Sequence, residues 1–114
     1  MALTFPPSYP YSAPRARCLA RIFHPNIDYA GNVCLNILRL DWSPVLSLNS
    51  VLLGLLLLFV EELDAEEPLN LVAGEILKND PQSFARIVRE TSRGLPFGGE
   101  EFDDISTTKS DLGR

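Results

Sequence analysis

The sequence predicts an α+β domain, and three observations carry that expectation. Residues 17–23, RCLARIF, alternate apolar and basic side chains, the period of a half-buried strand. The run Val51 to Val60, VLLGLLLLFV, is apolar on nearly all sides, which suits a central helix covered by other elements. Two shorter helical patterns follow it, so helices come after strands rather than alternating with them.

Taken in order, Leu3 to Phe5 reads as the end of a strand, stopped by Pro6 and Pro7. PPSYPYSAP is a proline-rich turn region, where each proline pushes its predecessor toward extended backbone. In the Arg17 to Phe23 strand, Cys18, Ala20 and Ile22 face one side and Arg17 and Arg21 the other. That gives Cys18 a plain role as a small core side chain. From His24 to Val45 no period is sustained; a loop of that length in a small domain is usually functional or disordered, and the apolar Ile27, Val33, Leu35, Ile37, Leu38 and Trp42 argue that this one packs. Ser47 can cap the Val51 to Val60 helix. Leu69 to Leu77 reads as a short helix. Asp80-Pro81 opens another, with Asp at the N-cap and Pro in the first position. Phe84, Ile87 and Val88 form its inward stripe, Arg86, Arg89 and Glu90 face water, and Gly94 ends it. Residues 1–106 form one domain, and 107–114 a polar, loose tail.

Composition narrows the function. With 114 residues the chain is a single domain, and 46% hydrophobic against 22% charged content reads as globular. A formal net charge of -5 disfavours nucleic acid as a partner. The apolar run is about half the ~20 residues a bilayer crossing needs, so no membrane span is expected. The N-terminus shows no secretory leader, and two cysteines then read as reduced thiols in a cytoplasmic or nuclear protein. One histidine and two separated cysteines offer no metal-ligand spacing.

The chemistry gathers in FHPNIDYAGNVCLNIL, residues 23–38. No Lys or Arg stands within several positions of Cys34, so nothing local marks the thiol as strongly activated. Thioester exchange needs no such activation, because it is nearly isoenergetic. Attack on a thioester by an amine depends more on an oxyanion stabiliser, which a fixed amide such as Asn26 can supply. Taken singly, His24 reads as a structural histidine, Cys34 as a core thiol and Asn26 as a turn former. A Cys-His hydrolase would need a third group to orient the histidine, and the sequence shows none.

Together these residues resemble a known signature. HPNIDYAGNVCLNILRLDWSP is similar to the active-site stretch of the ubiquitin-conjugating enzymes: His-Pro-Asn, a Gly, the acceptor cysteine followed by Leu, then Trp-Ser-Pro. YPYSAP resembles that family's Tyr-Pro turn, and PLN the start of its second helix. NVCLNILR followed by DW looks most like the branch that conjugates a Nedd-type modifier to cullins; ubiquitin-transferring members usually carry Asp where Asn36 stands. The resemblance runs from about Leu3 to Ile105.

The resemblance implies a UBC-like fold in partial form: a remnant antiparallel meander packed on the central apolar helix, then two C-terminal helices. It implies that Cys34 takes the modifier's C-terminus as a thioester from an activating enzyme, and that a substrate lysine then attacks it. Asn26 would support the oxyanion or the loop presenting it. Glu67, just before Pro-Leu, would be the acidic gate that positions the lysine, and His24 and Pro25 would support the motif. No cofactor or metal binds; ATP is used by the activating enzyme. The implied partners are the Nedd-type modifier, its activating enzyme, a RING-type ligase and a cullin substrate, in cytoplasm and nucleus.

Departures accompany the match. Glu67 stands where many members have Asp, EELDAEEPLN lacks the usual Pro-Asn-Pro and is one residue longer, and Ala13 replaces a proline. By the resemblance the chain begins near the family's third strand, without the amphipathic helix and two strands found there. Two readings follow: a conjugating enzyme, Nedd-type or ubiquitin-type, or an inactive or incomplete fragment of that fold acting as a binding module.

Overall fold

The computed structural model describes residues 1–60 and 67–106. The expected gate segment ahead of Glu67 and the expected tail both fall outside the described residues. The class is α+β: a two-stranded antiparallel sheet followed by three helices.

Strands β1 (Ala2–Thr4) and β2 (Arg15–Arg17) pair with Ala2 opposite Arg17 and Thr4 opposite Arg15. The expected strand over Leu3 to Phe5 is therefore displaced by one residue, and the one over Arg17 to Phe23 is corrected. Only Arg17 of that stretch lies in the sheet. The alternation is real in burial: residues 18, 20 and 22 are half-buried, Phe23 is buried, and 17, 19 and 21 are exposed. The ladder stops because the backbone finds other partners. Cys18 N–H donates to the Gly31 carbonyl at 2.8 Å. Arg21 N–H donates to the Asp103 carboxylate at 2.7 Å, and Asp103 N–H returns a bond to the Arg21 carbonyl at 3.1 Å. Gly31 is required for the first of these contacts: its φ is +91° and a Cβ there would lie 2.4 Å from the Cys18 carbonyl oxygen.

The proline-rich turn contains a cis Tyr9–Pro10 bond. Phe5 meets the Tyr9 ring edge-on at 4.9 Å, and Trp42 Nε1 donates to the Pro10 carbonyl at 3.0 Å. That hydrogen bond joins the turn to the Trp-Ser-Pro segment.

Helix α1 (Leu48–Val60) begins where Ser47 Oγ accepts from Ser50 N–H at 3.2 Å. The helix forms as expected, but its centrality is corrected. Only Val51 and Leu55 are buried, whereas Leu52, Leu53, Leu56, Phe59 and Val60 are exposed. Among the described residues it is covered on one side, in part by a short 3-10 turn (Asn36–Leu38). Gly54 lets the turn approach; a Cβ there would meet Ile37 Cδ1 at 2.8 Å.

The core lies around the two later helices. Helix α2 (Leu71–Asn79) starts two residues after the expected Leu69, because Asn70 caps it: its Oδ1 accepts from Ala73 N–H at 3.1 Å. Helix α3 (Pro81–Thr91) starts as expected, with Asp80 accepting from Ser83 N–H at 3.2 Å and Pro81 following it. Phe84 and Ile87 face inward as expected, joined by Thr91, whose hydroxyl donates to the Ile87 carbonyl at 2.8 Å. Phe23, Ala73, Phe84, Ile87 and Phe102 make one buried cluster, with Val88 half-buried against it. The chain after α3 closes over this cluster through Ile105 N–H to the Ser92 carbonyl and an Arg21–Glu100 ion pair.

Candidate active site

Residues 23–27 are all buried, an unusual density for a loop, and their polar groups are bonded to elements on either side. His24 Nε2 donates to the Leu58 carbonyl at 2.9 Å, in the last turn of α1, where helical carbonyls lack intrahelical partners. Its Nδ1 accepts from Asn26 N–H at 3.0 Å, which fixes the neutral tautomer. Burial holds the imidazole below its ordinary pKa, partly offset by the bond to Leu58. The Pro25 carbonyl accepts from Asn70 N–H at 3.0 Å. This one tripeptide thus ties the end of α1 to the start of α2. Both ring nitrogens of His24 are thus engaged with backbone groups.

On that platform lies the cysteine. Cys34 N–H donates to the Asn26 carbonyl at 2.8 Å, and Ile27 and Val33 form the adjoining bridge. Asn26, 3% exposed, therefore supports the cysteine's segment directly through its backbone. The turn between them is built on Asp28. One carboxylate oxygen accepts from Ala30 N–H at 3.0 Å and Asn32 N–H at 2.9 Å; the other accepts from Asn32 Nδ2 at 2.8 Å. Burial acts against the Asp28 carboxylate, but these bonds outweigh it and hold its pKa below the usual range. Asp28 is a positioning residue that sequence reasoning did not single out. Its signal was there: an Asp ahead of an Ala-Gly-Asn turn is a side chain set to bond its own backbone.

Arg39 corrects an expectation. The sequence placed no cation near the thiol, yet Arg39 Nη1 lies 3.0 Å from Cys34 Sγ. The 3-10 turn brings it back, with Leu38 N–H bonded to the Leu35 carbonyl and Arg39 N–H to the Asn36 carbonyl, both at 2.9 Å. Cys34 is half-buried in a depression of about 310 Å³ that it shares with Arg15, Asn32, Leu38, Arg39 and Leu69. Leu69 reaches it two residues past Glu67, while Glu67 is exposed and is not among the residues lining that depression. The other cysteine differs: Cys18 Sγ donates to the Ala20 carbonyl at 3.2 Å, beside the Gly31 turn. It is half-buried rather than on the inward face of a strand.

The family model for ubiquitin-conjugating enzymes matches residues 1–92. The chain belongs to that family. A relative named NEDD8-conjugating enzyme ubc12 from Schizosaccharomyces pombe is 52% identical over 98 residues, 86% of this chain and 55% of the relative. The Saccharomyces cerevisiae NEDD8-conjugating enzyme UBC12 is 48% identical over 103 residues, 90% of this chain and 54% of the relative. The solved structure of S. cerevisiae Ubc12 superposes with a TM-score of 0.84 at 47% identity, covering 90% of this chain and 53% of that one. A Toxoplasma gondii ubiquitin conjugating enzyme domain matches with a TM-score of 0.70 at 27% identity, covering 76% and 61%. The partial UBC fold expected from the sequence is borne out. The chain spans about half the length of the curated relatives it matches.

Proposed function

We propose that this chain carries the acceptor segment of a conjugating enzyme for a Nedd-type ubiquitin-like modifier. Cys34 takes the modifier's C-terminal acyl group as a thioester and passes it to a substrate lysine. The observation that carries the reading is the platform under the thiol. His24, Pro25 and Asn26 are buried and bonded to α1, to α2 and to Cys34 itself, so the cysteine is held at the rim of an open depression. Relatives named for NEDD8 conjugation, 52% and 48% identical, support the modifier class.

In charging, the Cys34 thiolate attacks the carbonyl carbon of a thioester on the activating enzyme, whose thiolate departs. ATP is consumed by that enzyme, and this chain binds no cofactor. In discharge, a neutral lysine amine attacks the same carbon. Asn26 holds the acceptor segment through its carbonyl and supports the developing oxyanion. Glu67, exposed two residues before Leu69, steers the amine. A RING-type ligase and a cullin are the partners this reading names, in cytoplasm and nucleus.

Incubation with activating enzyme, ATP and a Nedd-type modifier tests it. A reductant-sensitive adduct is expected on the parent and on Cys18→Ser. Cys34→Ser should give a reductant-resistant oxyester or none. Asn26→Ala should charge but discharge about 10²–10³ more slowly if it acts as an oxyanion donor. A parent-like reductant-sensitive adduct on Cys34→Ser would remove Cys34 as the acceptor.

A further inference from the structure

The acceptor thiol is not alone in its depression. Arg39 Nη1 is 3.0 Å from Cys34 Sγ, and Arg15 lines the same cavity. Among the described residues no carboxylate forms an ion pair with either guanidinium. Arg39 is also fixed from its backbone: it closes the 3-10 turn through its amide, and that turn is wedged against Gly54 of α1. A planar guanidinium keeps its charge at every working pH and can donate to sulfur.

We infer that Arg39 is a catalytic residue that stabilises negative charge on the Cys34 sulfur, both when the thiol attacks and when it leaves. The inference rests on the acceptor role proposed above. In charging, Cys34 gives its proton to solvent and the thiolate attacks the modifier's carbonyl carbon. The new C–S bond forms, the bond to the activating enzyme's sulfur breaks, and that sulfur departs with the electron pair. In discharge, the lysine nitrogen bonds to the carbonyl carbon, the C–S bond to Cys34 breaks, and the amine's proton passes to solvent. The departing sulfur of Cys34 then carries the charge that Arg39 meets. The same contact serves both half-reactions, because the sulfur is anionic at the start of one and the end of the other.

A small electrophile tests this without any conjugation partner. Alkylation of Cys34 by iodoacetamide is followed across pH in a Cys18→Ser background, for the parent, Arg39→Gln, Arg39→Lys and Arg89→Gln. Stabilising a thiolate raises its population but lowers its intrinsic nucleophilicity. The Arg39→Gln profile should therefore cross the parent's: about twofold slower near neutrality and about twofold faster on the alkaline plateau, the size that exposed charge contacts support. Arg39→Lys should lie between, and Arg89→Gln, on the outer face of α3, should follow the parent. In denaturant all four should coincide. Parallel profiles for parent and Arg39→Gln, or an equal effect of Arg89→Gln, would overturn the inference. Crossing profiles together with no adduct on Cys34 in the charging assay would leave the contact intact and overturn the acceptor role instead.

Discussion

Two segments of this chain, His24 to Ile27 and Val51 to Val60, have opposite fates. The first is a loop without regular structure, yet it is buried throughout and Ile27 is 1% exposed. The second is a regular helix with far more apolar surface, yet Leu53 is 55% and Leu56 57% exposed. Regularity and apolar content do not decide burial here; the number of elements that converge on a segment does. The loop is met by the end of α1, the cap of α2 and the Cys34 segment. Among the described residues the helix is met on one side.

The widest separation should come from removing the same number of carbon atoms at each place. Ile27→Ala should cost about 2–5 kcal/mol, because a well-packed site cannot close over the lost volume. Leu53→Ala should stay within about 0.5 kcal/mol, as an exposed position does. Urea unfolding of the two variants measures both. Equal midpoints would mean that the loop is not the rigid platform that the burial indicates.

What the sequence made legible follows the same division. Local signals were read correctly: Asp80-Pro81 opens α3, Phe84 and Ile87 face inward, and Ser47 caps α1. The sequence also singled out His24, Pro25, Asn26 and Cys34, since a compact motif carries them. What failed depended on distant partners. The alternation in 17–23 reported burial correctly, but the backbone bonds of Arg21 go to Asp103, 82 residues away, and so no strand ladder forms. Arg39 was passed over because only the 3-10 turn returns it to the thiol. The all-round apolarity of α1 records what the helix can bury, and only its neighbours determine what it does bury.

A second comparison uses proton linkage. His24 is held below its ordinary pKa by burial, so the native state resists a proton that the unfolded chain accepts at about 6.5. Its contribution is fully present above that value and is lost as pH falls through 6.5 toward the folded-state value. Asp28, Asp80 and Asp104 have pKa values lowered by hydrogen bonds, so their contributions are full above the usual carboxylate range and are lost as pH falls through that range toward the lower folded-state values. Between pH 7.5 and 5.5 the parent's melting temperature should therefore fall with acidification. His24→Gln can keep a donor and an acceptor without titrating, so its melting temperature should be lower but flatter over the same window. An unchanged slope would place the titrating group elsewhere.

The smallest effect on stability should come from the exposed face of α1, where the effect on association is the largest. Leu53 and Leu56 stand three apart on the helix, and Leu52, Phe59 and Val60 extend the apolar surface around them. Such a surface draws other apolar surfaces to it at a gain of about 25 cal/mol per Å² removed from water. The 114-residue chain on its own should therefore associate as concentration rises. Replacing Leu53 and Leu56 together by Lys removes almost no native packing, because both side chains already face solvent, and both residue types favour helix. The double variant should melt within a few degrees of the parent. In sizing chromatography it should elute closer to a monomer, and the difference should grow with protein concentration. If parent and variant elute alike at every concentration, this face is not where copies meet. If the variant instead unfolds, Leu53 and Leu56 are covered in solution, and the contrast between helix and loop loses its basis.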